Sequence, residues 1–309
     1  MNSFHMAGLP EKDRKPSSAS VLTKWIRQAA SITGDAAARV EWIVASTIVI
    51  AALQRAVGPD GTPLFLLKGG VYLEHRLGLA SRATKDVDTL FRGLLKEFVA
   101  KLDAALAEPW DGLELRRTEI EVIKNTPRVV APRRFGVIVS IKGKTFRRIQ
   151  VEVAFPEGDI ASSVDMIPAP QFQFLGIQSV EQLAGITLSY QIAQKLHACS
   201  DPHLPPLQAN LRVRDIVDLI LIRRHFYSDQ ASADLAELRR AAEDIFTARA
   251  AEAVQLGLAE RLWPPRIETN DRWAVEYARP AQEVGLEISL EDALAEVNEW
   301  VAGIASVGG

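Results

Sequence analysis

The order of elements around one glycine pair constrains the fold of this chain more than any other feature. Residues 64–67 form a short apolar run, Gly69 and Gly70 follow it, and residues 71–77 then show the apolar spacing of one helix face. This order predicts a buried strand, a glycine turn and a helix. A second strand is expected at residues 86–91, so the glycine turn lies between the first two predicted strands.

The remaining patterns predict an α+β fold in which helices precede a mixed sheet and a helical domain follows it. Two N-terminal helices are expected within residues 20–53, with Gly34 ending the first and Asp35 capping the second. Further strands are expected at residues 114–123, 135–141 and 146–155, with a tight turn at 142–144, and further helices at residues 94–106, 180–200, 212–226, 232–261 and 289–304. The predicted domains are a flexible tail at 1–18, an α+β domain at 19–178 and a helical domain at 179–309.

Composition indicates what class of protein this is and in which cellular compartment it is expected. The chain has 309 residues, 48% of them hydrophobic, which is enough for one large domain or two ordinary ones, so disorder is not expected. The single cysteine, Cys199, excludes an intrachain disulfide, and the charged residues 11–15 interrupt any signal-peptide core. The most apolar run, residues 42–53, is shorter than the roughly 20 residues that cross a bilayer. We therefore expect a cytoplasmic protein without a membrane partner.

Two aspartates on the second predicted strand are candidate metal ligands. Side chains alternate along a strand with a period of two, so Asp86 and Asp88 share one face of the sheet and Val87 lies on the other. Adjacent carboxylates repel each other unless a cation lies between them, and Mg²⁺ is usually held by one or two carboxylates together with substrate phosphates. The pair therefore predicts a Mg²⁺ site, although Asp-x-Asp pairs also occur in turns and on solvated strands.

A third carboxylate fits the same geometry. In the predicted strand at 146–155 the apolar side chains alternate, which places Glu152 on the opposite face from its apolar neighbours. If this strand lies beside the Asp86 strand, three carboxylates converge to hold two metal ions about 3.5 to 4 Å apart. Gly69 and Gly70 would then let the backbone approach a triphosphate, and the following helix would offer its N-terminal amides to it.

These residues resemble a known motif. The glycine turn followed by Arg82-x-Thr84-x-Asp86-x-Asp88 resembles the first motif of the AbiEii/MenT nucleotidyltransferase toxin family, within the polymerase-beta-like nucleotidyltransferase superfamily. Thr84 stands where the family more often has serine, and it still supplies a hydroxyl. The resemblance implies a nucleotidyltransferase core within the α+β domain.

The resemblance continues in the helical part of the chain. The segment that begins at Lys195 and the segment 212–219 resemble the second signature of the family. By this resemblance the catalytic residues are Asp86, Asp88, Lys195 and Asp215; the nucleotide-binding residues are Lys68, Gly69, Gly70, Arg82, Thr84 and Lys195; and the metal ligands are Asp86, Asp88 and Glu152. Lys195 would neutralise triphosphate charge, and Asp215 would orient the lysine or a metal-bound water. Without the first motif, an interhelix salt bridge between the two is the simpler interpretation.

The resemblance also implies the reaction and its partners. The expected substrates are a nucleoside triphosphate (NTP) and an RNA, the 3′ end of tRNA, with two Mg²⁺ ions as cofactors and Mn²⁺ as their alternative. The expected consequence is growth arrest, and the expected partner is a cognate antitoxin. Two other functions stay open at this point: nucleotidylation of a protein or small molecule, and a catalytically idle nucleic-acid-binding protein.

The distribution of charge bears on the acceptor. The segment from Arg116 to Arg148 contains ten basic residues and only two acidic ones, Glu119 and Glu121. No Lys or Arg follows Arg279. The basic stretch is either a solvated hairpin surface or a track for RNA phosphates, whose contacts supply affinity without sequence readout.

Overall fold

The computed structural model describes residues 8–78, 84–124, 128–205, 209–228 and 232–307. Within them the chain divides into two compact units. The first comprises the chain up to Pro156 together with Val164–Ile186, and the second comprises Glu157–Ser163 together with the chain from Thr187 onward. The chain therefore passes from one unit to the other three times.

Two helices open the first unit. Helix α1 spans Ala19–Thr33 and ends at Gly34, which adopts the left-handed conformation with φ of 79°, as predicted. Helix α2 spans Ala37–Leu53 and is buried along most of its length. The predicted cap on α2 is wrong: the helix starts after Ala36 without a side-chain cap, and the Asp35 carboxylate instead accepts a hydrogen bond from the Thr33 hydroxyl at 2.6 Å.

The described strands of the first unit form one mixed sheet. They are β1 Phe65–Leu67, β2 Asp86–Phe91, β3 Glu114–Arg117, β4 Glu121–Val122, β5 Arg133–Ile141, β6 Lys144–Ala154, β7 Asp165–Pro168 and β8 Gln182–Gly185. Their order is β3-β5-β6-β2-β1-β8-β7, with β4 also beside β5. The pairs β2–β6 and β1–β8 are parallel and the other pairs are antiparallel. The mixed α+β architecture predicted from the sequence is confirmed.

Two helices connect the strands, and they match the sequence patterns closely. Helix α3 spans Gly69–Leu77 between β1 and β2, and β2 occupies the range predicted for it. The helix predicted at 94–106 is a single 3₁₀ turn followed by α4, Phe98–Ala107. The predicted turn between β5 and β6 is a two-residue loop in which Lys142 and Gly143 both have positive φ, 50° and 72°.

One part of the helical prediction was wrong. The helix expected from residue 180 begins only at Leu188, because residues 182–185 form β8 beside β1 and β7. A short apolar run of this kind fits a buried strand and a buried helix equally well by periodicity, and only the neighbouring strands decide between them. The sheet thus continues beyond residue 178.

The second unit is helical. Its helices are α5 Leu188–Cys199, α6 Val213–Phe226, α7 Ser232–Gln255, α8 Asp271–Glu276, α9 Ala278–Glu283 and α10 Leu290–Ser306. Helix α7 is shorter than the predicted 232–261 because Gly257 adopts φ of 68° just after its end and the Leu258 amide donates to the Ala253 carbonyl at 2.8 Å. This is a glycine-terminated helix end.

The short segment Glu157–Ser163 is tied into the second unit by polar contacts. Glu157 accepts hydrogen bonds from Arg249 at 2.7 and 2.9 Å and from the Gln194 amide at 2.6 Å. The Asp159 amide donates to Asp244 at 2.7 Å. Gly158 allows this close approach, because a Cβ there would lie 2.2 Å from an Asp244 oxygen.

The described part of the predicted flexible tail, residues 8–18, also makes packing contacts. The Lys12 amide donates to the Gln173 carbonyl at 2.9 Å, and Pro16 is buried. Among the described helices, none has both the length and the apolar character needed to cross a membrane.

Candidate active site

The two aspartates of β2 lie on one face of the sheet, as the alternation predicted. Strand β6 runs parallel to β2, with Asp86 opposite Gln150 and Asp88 opposite Glu152. Val87 is fully buried on the other face, where α1 and α2 contact the sheet. We call the face that carries these four polar side chains the open face, because all four are partly exposed.

A hydrogen bond orients the Asp86 side chain, and its charged form is disfavoured on this face. Its Oδ1 atom accepts a hydrogen bond from the Gln150 amide at 2.9 Å. Burial raises the pKa of Asp86, and the negative charge of Glu152 raises it further. The folded protein thus disfavours the charged carboxylate, and a cation bound there would relieve this repulsion.

Glu152 lies where the sequence placed it, but it has a partner that the sequence did not predict. Arg134, opposite it on β5, donates from Nη2 and Nε at 2.6 and 2.9 Å. The bond to Glu152 holds the pKa of Arg134 above its usual range. Within the described ranges, no three His, Cys, Asp or Glu side chains are grouped closely enough to hold a metal ion. The role of Glu152 as a third ligand stays a prediction.

The glycine turn lies directly against Asp88. Gly69 has φ of 65°, and a Cβ on it would lie 2.4 Å from Oδ2 of Asp88. The Lys68 amide donates to the Asp88 carbonyl at 3.0 Å, and Lys68 is the extended residue that precedes the first turn of α3. Helix α3, with Gly69 and Gly70 as its first residues, therefore begins beside the second aspartate.

Two further predicted nucleotide-binding residues precede β2. Thr84 is partly exposed, and its hydroxyl donates weakly to the Asp86 carbonyl at 3.4 Å. Arg82 lies outside the described residues.

The residues predicted from the second signature form a buried cluster in the helical unit. The Lys195 ammonium on α5 donates to Asp215 at 2.6 Å and to Asp218 at 2.7 Å, both on α6. The interhelix salt bridge considered from the sequence is therefore present, and the catalytic roles of Lys195 and Asp215 stay predictions. All three residues are at most 8% exposed. Removal of one of these three charges would leave another buried without its partner, which is strongly destabilising.

The sequence interpretation missed two residues of the open face, Gln150 and Arg134. It also gave no role to Asp218, the second partner of Lys195. Gln150 shares the alternation that identified Glu152, so the same pattern could have shown that it lies beside Asp86. Arg134 was counted only as part of the basic stretch, because its pairing depends on a strand register that no motif encodes. Asp218 lies three residues after Asp215 on α6, and that helical spacing is why both reach Lys195.

Three solved structures align with this chain over most of its length. The nucleotidyltransferase toxin MenT4 of Mycobacterium tuberculosis H37Rv aligns with a TM-score of 0.56 and 17% identity, over 94% of this chain and 91% of that one. JHP933 of Helicobacter pylori aligns with a TM-score of 0.43 and 13% identity, over 85% and 91%. The antibiotic-resistance factor ANT(2'')-Ia aligns with a TM-score of 0.36 and 15% identity, over 69% and 97%. No curated protein sequence gives a significant match.

The MenT4 alignment shows that the fold is the one seen in a nucleotidyltransferase toxin. The sequence profile described as nucleotidyl transferase AbiEii toxin of type IV toxin–antitoxin systems matches residues 51–299. This match spans most of the chain, so the chain belongs to the AbiEii family of nucleotidyltransferase toxins. Membership implies an enzyme that uses an NTP and a toxin that has an antitoxin partner.

Proposed function

We propose that this toxin transfers a nucleoside monophosphate from an NTP to the 3′ end of an RNA, with tRNA as the acceptor, in a reaction that depends on two Mg²⁺ ions. The observation that carries the proposal is the position of Asp86 and Asp88 on the open face, directly beside the start of α3. Carboxylates beside a phosphate-binding helix start are suited to a metal–triphosphate complex.

The residues fit a divalent cation. Their oxygens are the hard ligands that Mg²⁺ prefers, and the charged form of Asp86 is disfavoured until a cation is present. Asp86 and Asp88 would hold the ions, which when bound supply a polarised α-phosphate and neutralise the leaving pyrophosphate. Glu152 is retained as the third ligand: both hydrogen bonds from Arg134 end on its Oε1 atom, so Oε2 would be the atom that meets the ion.

The other residues bind and orient. The backbone at Gly69 and Gly70 approaches the triphosphate, and the N–H groups of the first turn of α3 donate to it. Gln150 orients the Asp86 carboxylate through its 2.9 Å hydrogen bond. The resemblance also gives activity to Lys195 and Asp215, and the 2.6 Å bond between them supports Asp215 as the group that orients the lysine ammonium.

Transfer of label from each α-labelled NTP to total RNA tests the proposal. The full chain is incubated with Mg²⁺, with Mn²⁺ and with EDTA, and label is expected in a tRNA-sized band with either metal but not with EDTA. Asp86→Asn is expected to reduce transfer at least about a hundredfold, because metal-held charge stabilises the transition state by several kcal/mol. Asp103→Asn, at a partly exposed aspartate of the same unit, is the matched control and keeps activity.

The identity of the labelled product decides between acceptors. Label that resists protease and is removed by ribonuclease supports RNA as the acceptor. Label that enters protein, or that appears in neither fraction with any NTP, contradicts the RNA acceptor.

A further inference from the structure

The sheet order places two different groups of residues on the two sides of Asp86 and Asp88. Strand β1 and the glycine turn lie on one side of β2, while β6, β5 and β3 lie on the other. The start of α3 binds the donor triphosphate in the proposed function. A second substrate would therefore bind on the other side of β2, on the open face of β6, β5 and β3.

Two arginines of this side carry unneutralised charge. Arg148 on β6 lies opposite Ile138 of β5, and Ile138 lies opposite Arg116 of β3, so the three form one row across the open face. Both arginines are exposed, and neither has a hydrogen-bond or ion-pair partner among the described residues. The row is two residues, about 7 Å, from the row that contains Gln150 and Asp86.

Three other arginines of these strands have ion pairs, and Arg133 donates to the Ala131 carbonyl instead. Arg117 pairs with Asp103, Arg134 with Glu152 and Arg147 with Glu41. Of the three arginines on the open face of these strands, Arg134 is neutralised by Glu152, whereas Arg148 and Arg116 are left for another anion.

A glycine places the Arg148 guanidinium. A Cβ on Gly136 would lie 2.5 Å from Nε and 3.0 Å from Nη2 of Arg148, so the guanidinium lies directly over that glycine. Gly136 is opposite Gln150, in the same row as Asp86. The side chain therefore leaves its own row on β6 and crosses onto β5, into the row that contains Asp86, and any larger residue at 136 would displace it.

We propose that Arg148 and Arg116 bind the phosphates of the RNA strand that accepts the nucleotide, with Gly136 holding the Arg148 guanidinium in the row of Asp86, two strands away from it. This inference rests on the proposed function, because it assumes that the aspartates mark the point of transfer. Guanidinium groups bind phosphate oxygens in a fork and confer no base specificity. The arginines thus form an acceptor subsite that is distinct from the donor subsite at Gly69.

RNA binding without catalysis tests the subsite. The affinity of the full chain for labelled tRNA is measured in EDTA, without NTP, across a series of salt concentrations. Arg148→Gln and Arg116→Gln are each expected to weaken binding about tenfold. Each is also expected to reduce the slope of log affinity against log salt by about 0.7 to 0.9, since one phosphate contact is lost. Lys96→Gln, which removes an exposed charge elsewhere in the same unit, is the control.

Gly136→Ala provides a test that leaves charge unchanged. It is expected to weaken RNA binding and raise the KM for RNA while the KM for NTP stays at the wild-type value. The inference is overturned if the variant that carries both Arg148→Gln and Arg116→Gln binds RNA with wild-type affinity and with the wild-type slope of log affinity against log salt.

The two proposals fail differently. A chain that labels protein and does not bind RNA overturns the acceptor subsite and leaves nucleotidyl transfer intact. A chain that binds RNA through these arginines but transfers no nucleotide supports the subsite and contradicts the proposed reaction.

Discussion

At the residue scale, Gly69 is the position of the candidate site that tolerates the least change. Gly69→Ala is expected to lose about 1 to 2 kcal/mol of stability from its positive φ. It is also expected to reduce transfer about a hundredfold, because the new Cβ would displace the Asp88 carboxylate that it meets at 2.4 Å. Activity and thermal unfolding are measured on the same preparation.

Gly143→Ala separates the two effects. Gly143 has a similar φ of 72°, but a Cβ at this position would meet nothing within 4 Å, so the variant should lose stability and keep activity. Equal loss of activity in both variants would show that backbone strain, and not the contact with Asp88, determines the result.

His75 gives the protein a specific sensitivity to acid. Burial lowers its pKa to about 4, against about 6.5 in an unfolded chain. The unfolded state therefore binds a proton first as pH falls, and stability declines between pH 6.5 and 4 by about 3 kcal/mol. His75→Gln, which cannot titrate, is expected to remove that part of the pH dependence of unfolding. His203→Gln, at a less buried histidine, should leave it in place.

At the element scale, the position of α3 depends on a glycine in another strand. A Cβ on Gly185 of β8 would lie 2.7 Å from the ring of Tyr72, whose hydroxyl donates to Asp165 of β7 at 2.8 Å. Gly185→Ala is expected to destabilise the first unit by about 1 to 3 kcal/mol through overpacking. It should also reduce transfer, since the start of α3 moves with Tyr72.

Chemical unfolding and transfer assays on this variant check the prediction. Gly303→Ala is the control, because this helical glycine has open space around it and alanine should stabilise α10 by about 0.5 to 1 kcal/mol. Unchanged stability and activity in Gly185→Ala would show that Tyr72 does not fix α3.

The β5–β6 hairpin shows where prediction from sequence succeeded and where it could not. Alternation placed Asp86, Asp88 and Glu152 on one face because the period of a strand is fixed by its geometry. Counting back from the two-residue turn would pair Arg134 with Val151. A bulge between Val139 and Ser140 shifts the register by one residue, which brings Arg134 opposite Glu152 instead. Nothing in the local sequence indicates that bulge.

At the scale of the whole molecule, the two charged clusters are expected to differ in their contribution to stability: the Asp86 cluster supports transfer alone, and the Lys195 cluster supports transfer and stability. Asp86→Asn should abolish transfer without lowering the unfolding temperature at pH 7 in EDTA, because burial and Glu152 already penalise the charged aspartate. Lys195→Met should reduce both, since it leaves Asp215 and Asp218 buried without their cation, at a cost of about 3 to 5 kcal/mol. Differential scanning fluorimetry beside the transfer assay measures both. A lower unfolding temperature for Asp86→Asn would contradict this division.

The boundaries between the two units were harder to predict from the sequence than the helices and strands. Residues 179–186 precede the helical unit and were assigned to it, yet β8 lies within the sheet between β1 and β7. Residues 157–163 follow the longest strand, yet their polar contacts belong to the helical unit. Both assignments depend on contacts between residues distant in sequence, which periodicity cannot report.

The repeated crossing of the chain between the units limits how this gene can be rearranged. A single break after Ile186 would leave Glu157 and Asp159 on a fragment that lacks Arg249 and Asp244. A single break after Pro156 would remove β7 and β8 from the sheet. Exchange of the helical unit between relatives by one recombination event therefore always breaks one of the two units, and the two are expected to be inherited as a single piece.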